Sequence, residues 1–212
     1  MTVVMLVKMS FSKEFGSGPL SERYDAALKF AADAHRPQLR KNGAVPYLSH
    51  LLRVSGLTFD YGASEDVAIA ALLHDVVEDC GGIPTLERVR EAFGDTVARI
   101  VLDVSDSTAS DSTRKAPWRE RKEAYLERLK DVEPDTLLVA ACDKLDNVTS
   151  LLRSLRLVDA NVVLSKFKAN PDAQTWFYDS FLGILTRRKL PIAVELSDAI
   201  EKLKYVLTNR DS

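Results

Sequence analysis

An uncharged apolar run, Val67-Ala68-Ile69-Ala70-Ala71-Leu72-Leu73, ends abruptly in His74-Asp75-Val76-Val77-Glu78-Asp79. The run reads as a buried helix, and it delivers one imidazole and three carboxylates within six residues. An apolar helix tolerates such a cluster only if something compensates the buried charge, and a bound cation is the simplest candidate. The whole chain holds three histidines, so one placed here is hard to ascribe to composition.

The rest of the chain reads as helices around this one. Leu20 to Arg36 carries an apolar stripe at Tyr24, Leu28, Ala31 and Ala32, and Pro37 ends it. Asn42-Gly43 lies in a polar connection. Pro46 then suits the first position of a second helix that runs through His50 to about Phe59 and stops near Gly62. Ser64 is positioned to cap the third helix, which carries the His-Asp cluster continuously to Gly81-Gly82. Thr85 to Phe93, Asp95 to Val104, Pro117 to Asp131 and Pro134 to Leu155 follow as helices, with a polar loop over Ser105 to Ala116. After a looser stretch from Asp159 to Asn170, Pro171 to Arg188 and Pro191 to Thr208 close the chain. The expected fold is all-α: an N-terminal extension over 1–19 and a single compact helical domain over 20–208, with C-terminal helices from about 171.

A net charge of -2 argues against a nucleic-acid binder with a broad basic surface, though not against a local clamp for a small anion. Cys80 and Cys142 form no CxxC unit and suit reduced thiols in a cytoplasmic protein. Met1 to Met9 is too short to span a bilayer and shows no cleavage pattern, and no other stretch reaches membrane length.

Two further segments supply metal-ligand types. His50 sits in a helix otherwise apolar along Leu48, Leu51 and Leu52. Asp143 ends the uncharged run Leu137-Leu138-Val139-Ala140-Ala141-Cys142. Neutral imidazoles and carboxylates drawn from separate rigid helices are the donor set of a hard-to-borderline divalent ion. Glu78 and Asp79 follow His74 and Asp75 by four residues, one helical turn on, where a carboxylate can orient or deprotonate an attacking water. Asn147 stands one turn after Asp143. Lys115, Arg119 and Arg121, at the end of the polar loop, are candidates for an anion clamp, with a solvated helix start as the competing reading. Asp143 alone could pair with Lys144, and His50 alone could cap a helix. His35 has no acidic partner at ligand spacing and reads as structural.

The combination His50, His74-Asp75 and Asp143 resembles the H…HD…D pattern of the HD-domain phosphohydrolase superfamily. Arg40-Lys41-Asn42-Gly43, Pro46-Tyr47-Leu48-Ser49-His50, Leu73-His74-Asp75-Val76-Val77-Glu78-Asp79 and Asp143-Lys144-Leu145-Asp146-Asn147 resemble the hydrolase domain of RelA/SpoT-type proteins, across roughly Leu20 to Leu155. With no synthetase segment following, the resemblance is to stand-alone small alarmone hydrolases, similar to the metazoan SpoT-homologue type. It implies an HD-domain helical bundle and a single Mn²⁺ on His50, His74, Asp75 and Asp143, with Fe²⁺ or Zn²⁺ suited to the same donors. It also implies Glu78 and Asp79 at the attacking water, and Arg40, Lys41 and Asn147 at the nucleotide. The implied reaction removes the 3′-pyrophosphate of (p)ppGpp, giving GDP or GTP and pyrophosphate. Two rivals remain: the same chemistry on another nucleotide (an adenine alarmone or a nucleoside monophosphate), or an HD module that senses a nucleotide without turnover. One extra residue between Arg40-Lys41 and His50, Thr149-Ser150 in place of an Arg and a Thr, and Cys80 in place of a threonine depart from the bacterial pattern.

Overall fold

The computed structural model describes residues 19–40, 45–107, 116–166 and 170–209. In chain order the helices are α1 (Glu22–Ala34), α2 (Leu48–Asp60), α3 (Glu65–Leu73), α4 (Val76–Asp79), α5 (Ile83–Phe93) and α6 (Asp95–Val104). They are followed by α7 (Trp118–Leu129), α8 (Pro134–Leu157), α9 (Ala160–Leu164), α10 (Pro171–Arg187) and α11 (Ile192–Thr208). Among the described residues there is no strand beyond one isolated bridge, Leu39 to Pro46.

α3 explains the arrangement. Every residue from Val67 to Leu73 is buried, so the helix has no face to give to water and must be enclosed. α1, α2, α6 and α8 do this, and α8 in turn carries α11 along its other side. Burying each Leu, Ile or Val of that segment is worth about 1.5–3 kcal/mol, which ties the position of the helix end to the stability of the core. Ser21 fastens the outer layer: its hydroxyl caps Arg23 N–H and donates to Glu65 Oε1 at 2.8 Å, joining the starts of α1 and α3.

Three local expectations are corrected. The third helix is not continuous to Gly81. It stops at Leu73, and Asp75 (φ −101°, ψ −3°) lies at the edge of the helical region before α4 resumes with Asp79 N–H bonding to Asp75 C=O. Pro46 is not the first residue of α2. It pairs with Leu39 in a short ladder, closed by Arg40 N–H to Val45 C=O and Tyr47 N–H to Gln38 C=O, so the helix begins at Leu48. The loose stretch after Asp159 contains α9, nucleated by the Asp159 carboxylate on the N–H groups of Asn161 and Val162. After α4 the chain turns on Gly81 and Gly82, both with positive φ; a Cβ at Gly81 would sit 2.7 Å from Thr85 Oγ1.

Candidate metal centre

Helix ends and long-range packing bring the expected ligands together. His50 stands in the first turn of α2, His74 and Asp75 in the break between α3 and α4, and Asp143 in the middle of α8. His50, His74 and Asp75 each offer a donor atom within 4.8 Å of the other two. Asp143 Oδ1 closes the remaining side, 3.2 Å from His50 Nε2 and 3.7 Å from His74 Nε2. Asp75 Oδ2 is 3.0 Å from His74 Nε2 and 3.8 Å from His50 Nε2. For ion–ligand bonds of about 2.1 Å, neighbouring donors stand roughly 3.0–3.4 Å apart in octahedral or tetrahedral arrangements, so the cage needs only small adjustment to close on a cation.

The imidazoles supply the test of fit. His74 Nδ1 lies 2.8 Å from Ala71 C=O, which only accepts, so Nδ1 carries the proton there. His50 Nδ1 is 2.6 Å from Asp146 Oδ2, with the same consequence. In the neutral rings both Nε2 atoms are therefore lone pairs; both are buried, and neither has a hydrogen-bond partner. Two lone pairs aimed at two carboxylate oxygens, away from water, are repulsive unless positive charge sits between them. A divalent cation fits this donor set.

Each carboxylate also accepts from a neighbouring donor. The Tyr47 hydroxyl donates to Asp75 Oδ2 at 2.5 Å. Asn147 Nδ2 donates to Asp143 Oδ1 at 2.5 Å, and Lys144 Nζ donates to Asp143 Oδ2. Burial pushes the Asp75 and Asp143 carboxyls up, but His74 beside the first and Lys144 beside the second outweigh it and hold both below the ordinary range. Burial works against charge on His74, yet Asp75 and Asp143 raise it well above an ordinary histidine. The field at this point thus attracts positive charge, whether a proton or a metal ion.

The surrounding residues divide. Asp79 takes a hydrogen bond from Gln38 Nε2 at 2.8 Å, and Glu78 lies 3.9 Å from the Arg121 guanidinium. Arg121 also bonds Asp106 at 2.5 Å, with Lys122 at 2.6 Å on the other oxygen of that carboxylate. Arg40 reaches the α8 side of the centre, donating to Asn147 Oδ1 at 3.0 Å with its guanidinium 5.7 Å from the Tyr47 ring centre. Arg119 does not join Arg121. It lies on the other side of α7, 3.2 Å over the Trp176 ring and bonded to Glu123, because residues two apart on a helix point in nearly opposite directions. Lys41 and Lys115 fall outside the described residues. His35 is buried, bonded to Gln38 Oε1 at 2.6 Å and stacked on Tyr47, in keeping with a structural role.

Two residues at the centre carry no assignment from sequence. Tyr47 lies in Pro46-Tyr47-Leu48-Ser49-His50, but nothing in its spacing points to Asp75. Asp146 is 96 residues from His50, and only the crossing of α2 with α8 makes them neighbours. The one available signal is a second carboxylate three residues after Asp143, one turn further along α8.

Comparison with known proteins identifies what the chain is similar to. A family model described as HD domain matches residues 27–162. The guanosine-3′,5′-bis(diphosphate) 3′-pyrophosphohydrolase MESH1 of Danio rerio is 36% identical over 129 residues, covering 59% of this chain and 67% of that protein. Its Drosophila melanogaster counterpart is 34% identical over 134 residues, covering 62% and 70% respectively. A solved structure of a metazoan ortholog of SpoT, reported to hydrolyze ppGpp and to play a role in starvation responses, superimposes with a TM-score of 0.69 at 26% identity. The match covers 88% of this chain and 98% of that one.

Proposed function

The chain belongs to the HD-domain family, and on that premise we propose that it is a divalent-metal-dependent hydrolase that removes the 3′-pyrophosphate of (p)ppGpp. The observation that carries the metal-dependent part is the pair of buried, unpartnered Nε2 atoms of His50 and His74 facing Asp75 and Asp143. The substrate follows from the relatives, which are named for this reaction.

His50, His74, Asp75 and Asp143 would hold the ion, and Mn²⁺ is the ion we assign. When bound, a divalent cation supplies Lewis acidity: it makes water acidic enough to attack phosphorus near neutral pH and neutralises charge on phosphoryl oxygens. Glu78 and Asp79 accept the proton of the attacking water. Water oxygen bonds to the phosphorus attached at the 3′ position, the 3′-oxygen–phosphorus bond breaks, and the 3′-oxygen leaves as a hydroxyl after taking up a proton. Products are GDP or GTP and pyrophosphate. Arg40 and Asn147, bonded to each other beside Asp143, hold the nucleotide, with Lys41 from the adjoining segment. Arg121 lies on the Glu78 side to meet a diphosphate arm, a role we also assign to Lys115 from its place in the sequence. No described helix is long and apolar enough to cross a membrane, and two free thiols suit a cytoplasmic setting.

The test is product identification. Protein stripped of metal and reloaded with Mn²⁺ is incubated with ppGpp, an adenine alarmone and nucleoside monophosphates. GDP and pyrophosphate in equal amounts from ppGpp are expected. Orthophosphate from monophosphates, or turnover of the adenine compound alone, would replace the assigned substrate. Nucleotide binding without turnover under Mn²⁺, Fe²⁺ and Zn²⁺ alike would make the chain a sensor.

A further inference from the structure

Asp146 stands at the junction of three cationic or proton-bearing groups. It is buried at 4% exposure. Its Oδ1 accepts Arg53 Nε at 2.5 Å; its Oδ2 accepts His50 Nδ1 at 2.6 Å and Arg53 Nη2 at 3.2 Å. Arg40 Nη2 approaches the same Oδ2 at 3.8 Å. Of the four candidate ligands, the carboxylate bonds His50 and makes no hydrogen bond or ion pair with His74, Asp75 or Asp143. It therefore serves the centre through His50 or not at all.

An ionised carboxylate can only accept, so its partner nitrogen on His50 must donate. That fixes the proton on Nδ1 and leaves the Nε2 lone pair pointing at Asp143 and Asp75. His74 has a backbone carbonyl for this purpose, which no side-chain substitution can remove. His50 depends on a side chain. Arg53 keeps that side chain charged and oriented: two of its nitrogens grip the carboxylate, one on each oxygen, so the carboxylate plane cannot rotate away from the imidazole.

From this geometry we propose that Asp146, clamped by Arg53, is the positioning residue that commits His50 to presenting Nε2 to the metal. The inference rests on the metal-centre reading above. It adds that one ligand of the centre is held in its binding tautomer by an ion pair between α2 and α8. The ion pair also lies beside Arg40, so the nucleotide-facing arginine and the ligand histidine lean on the same carboxylate.

Two measurements test it. The first uses the unaltered, metal-free protein: long-range ¹H–¹⁵N spectra read the tautomer of His50 directly. A proton on Nδ1 is expected, as the contact with Asp146 requires; a His50 ring protonated at Nε2 alone overturns the proposal. The second follows free Mn²⁺ by its electron paramagnetic resonance signal during titration of wild type, Asp146→Asn and Arg53→Met. An amide can donate as well as accept, so Asp146→Asn no longer enforces the tautomer. Its Mn²⁺ dissociation constant should rise by roughly 10- to 100-fold, the range found when partners of ligating histidines are lost. Arg53→Met retains the acceptor and should weaken binding less than Asp146→Asn does. In Asp146→Asn, kcat should recover at saturating Mn²⁺, which loss of folding would not allow. If wild type binds Mn²⁺ and Asp146→Asn binds it equally well, the positioning role is refuted while the metal centre stands. If wild type binds no divalent ion, the centre itself fails and this inference with it.

Discussion

Removing Asp143 should destabilise the metal-free protein through Lys144 as much as through the metal site. The Lys144 side chain is 10% exposed, and its ammonium group donates to Asp143 Oδ2. Deleting one partner of a buried ion pair leaves the other charge uncompensated, at a cost of about 3–5 kcal/mol. The Tyr125 ring, 5.1 Å from Lys144 Nζ, faces that charge in wild type and variant alike and leaves the difference unchanged. Asn147 Nδ2 loses its acceptor, a cost of about 1 kcal/mol that puts the variant toward the upper end of that range. Relief of the repulsion between Asp143 and Asp75 acts in the opposite direction, but His74 already offsets the Asp75 charge. The sum is a loss of roughly 3–5 kcal/mol for Asp143→Ala. At about 2–4 °C per kcal/mol for a chain of this size, that lowers Tm by roughly 6–20 °C. Lys144 holds Asp143 well below the ordinary carboxylate range despite burial, so the pair is intact at pH 7 and the whole effect is visible there. Calorimetry in excess chelator measures it free of any metal contribution. Adding Lys144→Met to Asp143→Ala removes the orphaned charge and should restore at least half of the lost Tm. A single variant within about 1 kcal/mol of wild type, or a double variant no more stable than the single, would refute this reasoning.

Glu78→Gln should keep Mn²⁺ bound and lose about 10²-fold or more in kcat, as for other acid–base groups; full activity would remove Glu78 from the water-handling role. Arg40→Ala should raise KM for ppGpp more than it lowers kcat, since the guanidinium bonds Asn147 and not the proposed ligands; steady-state kinetics at saturating Mn²⁺ distinguish the two. Asp106 is pushed up by burial but pulled lower overall by Lys122, to about 2. A depressed folded-state pKa gives stability that is present above the unfolded value near 4 and lost as pH falls toward about 2. Urea unfolding between pH 4.5 and 2.5 should therefore show an acid-dependent loss on the order of 2 kcal/mol that is largely absent in Asp106→Asn.

Much of the helical order was legible because the chain punctuates itself. Pro37, Gly62, Gly94, Pro134 and Pro171 stand close to helix boundaries, and the apolar runs before His74 and Asp143 identified the two most buried helices. The break at His74-Asp75 was not legible. Nothing local forbids helix there, and the interruption is visible only once α3 is enclosed and α4 must turn into Gly81-Gly82. The Leu39–Pro46 pairing was hidden for a different reason: a two-residue ladder leaves no periodic signal. Among the site residues, those whose type is diagnostic of metal binding could be named in advance. Tyr47 and Asp146 could not, because their partners Asp75 and His50 lie on other helices and sequence spacing carries no information about such crossings. Arg119 and Arg121 show the converse limit. Both are cations at one helix start, but helical geometry sends the first to Trp176 and only the second toward Glu78.

The central claim is that two imidazoles and two carboxylates from α2, the α3–α4 break and α8 share one divalent ion. Pulsed electron paramagnetic resonance of the Mn²⁺-loaded protein reads this directly through nitrogen couplings. One ion per chain is expected, coupled to two distinct imidazole nitrogens, with one coupling lost in His50→Ala and the other in His74→Ala. A bound ion showing no nitrogen coupling, or couplings that survive both substitutions, would contradict it.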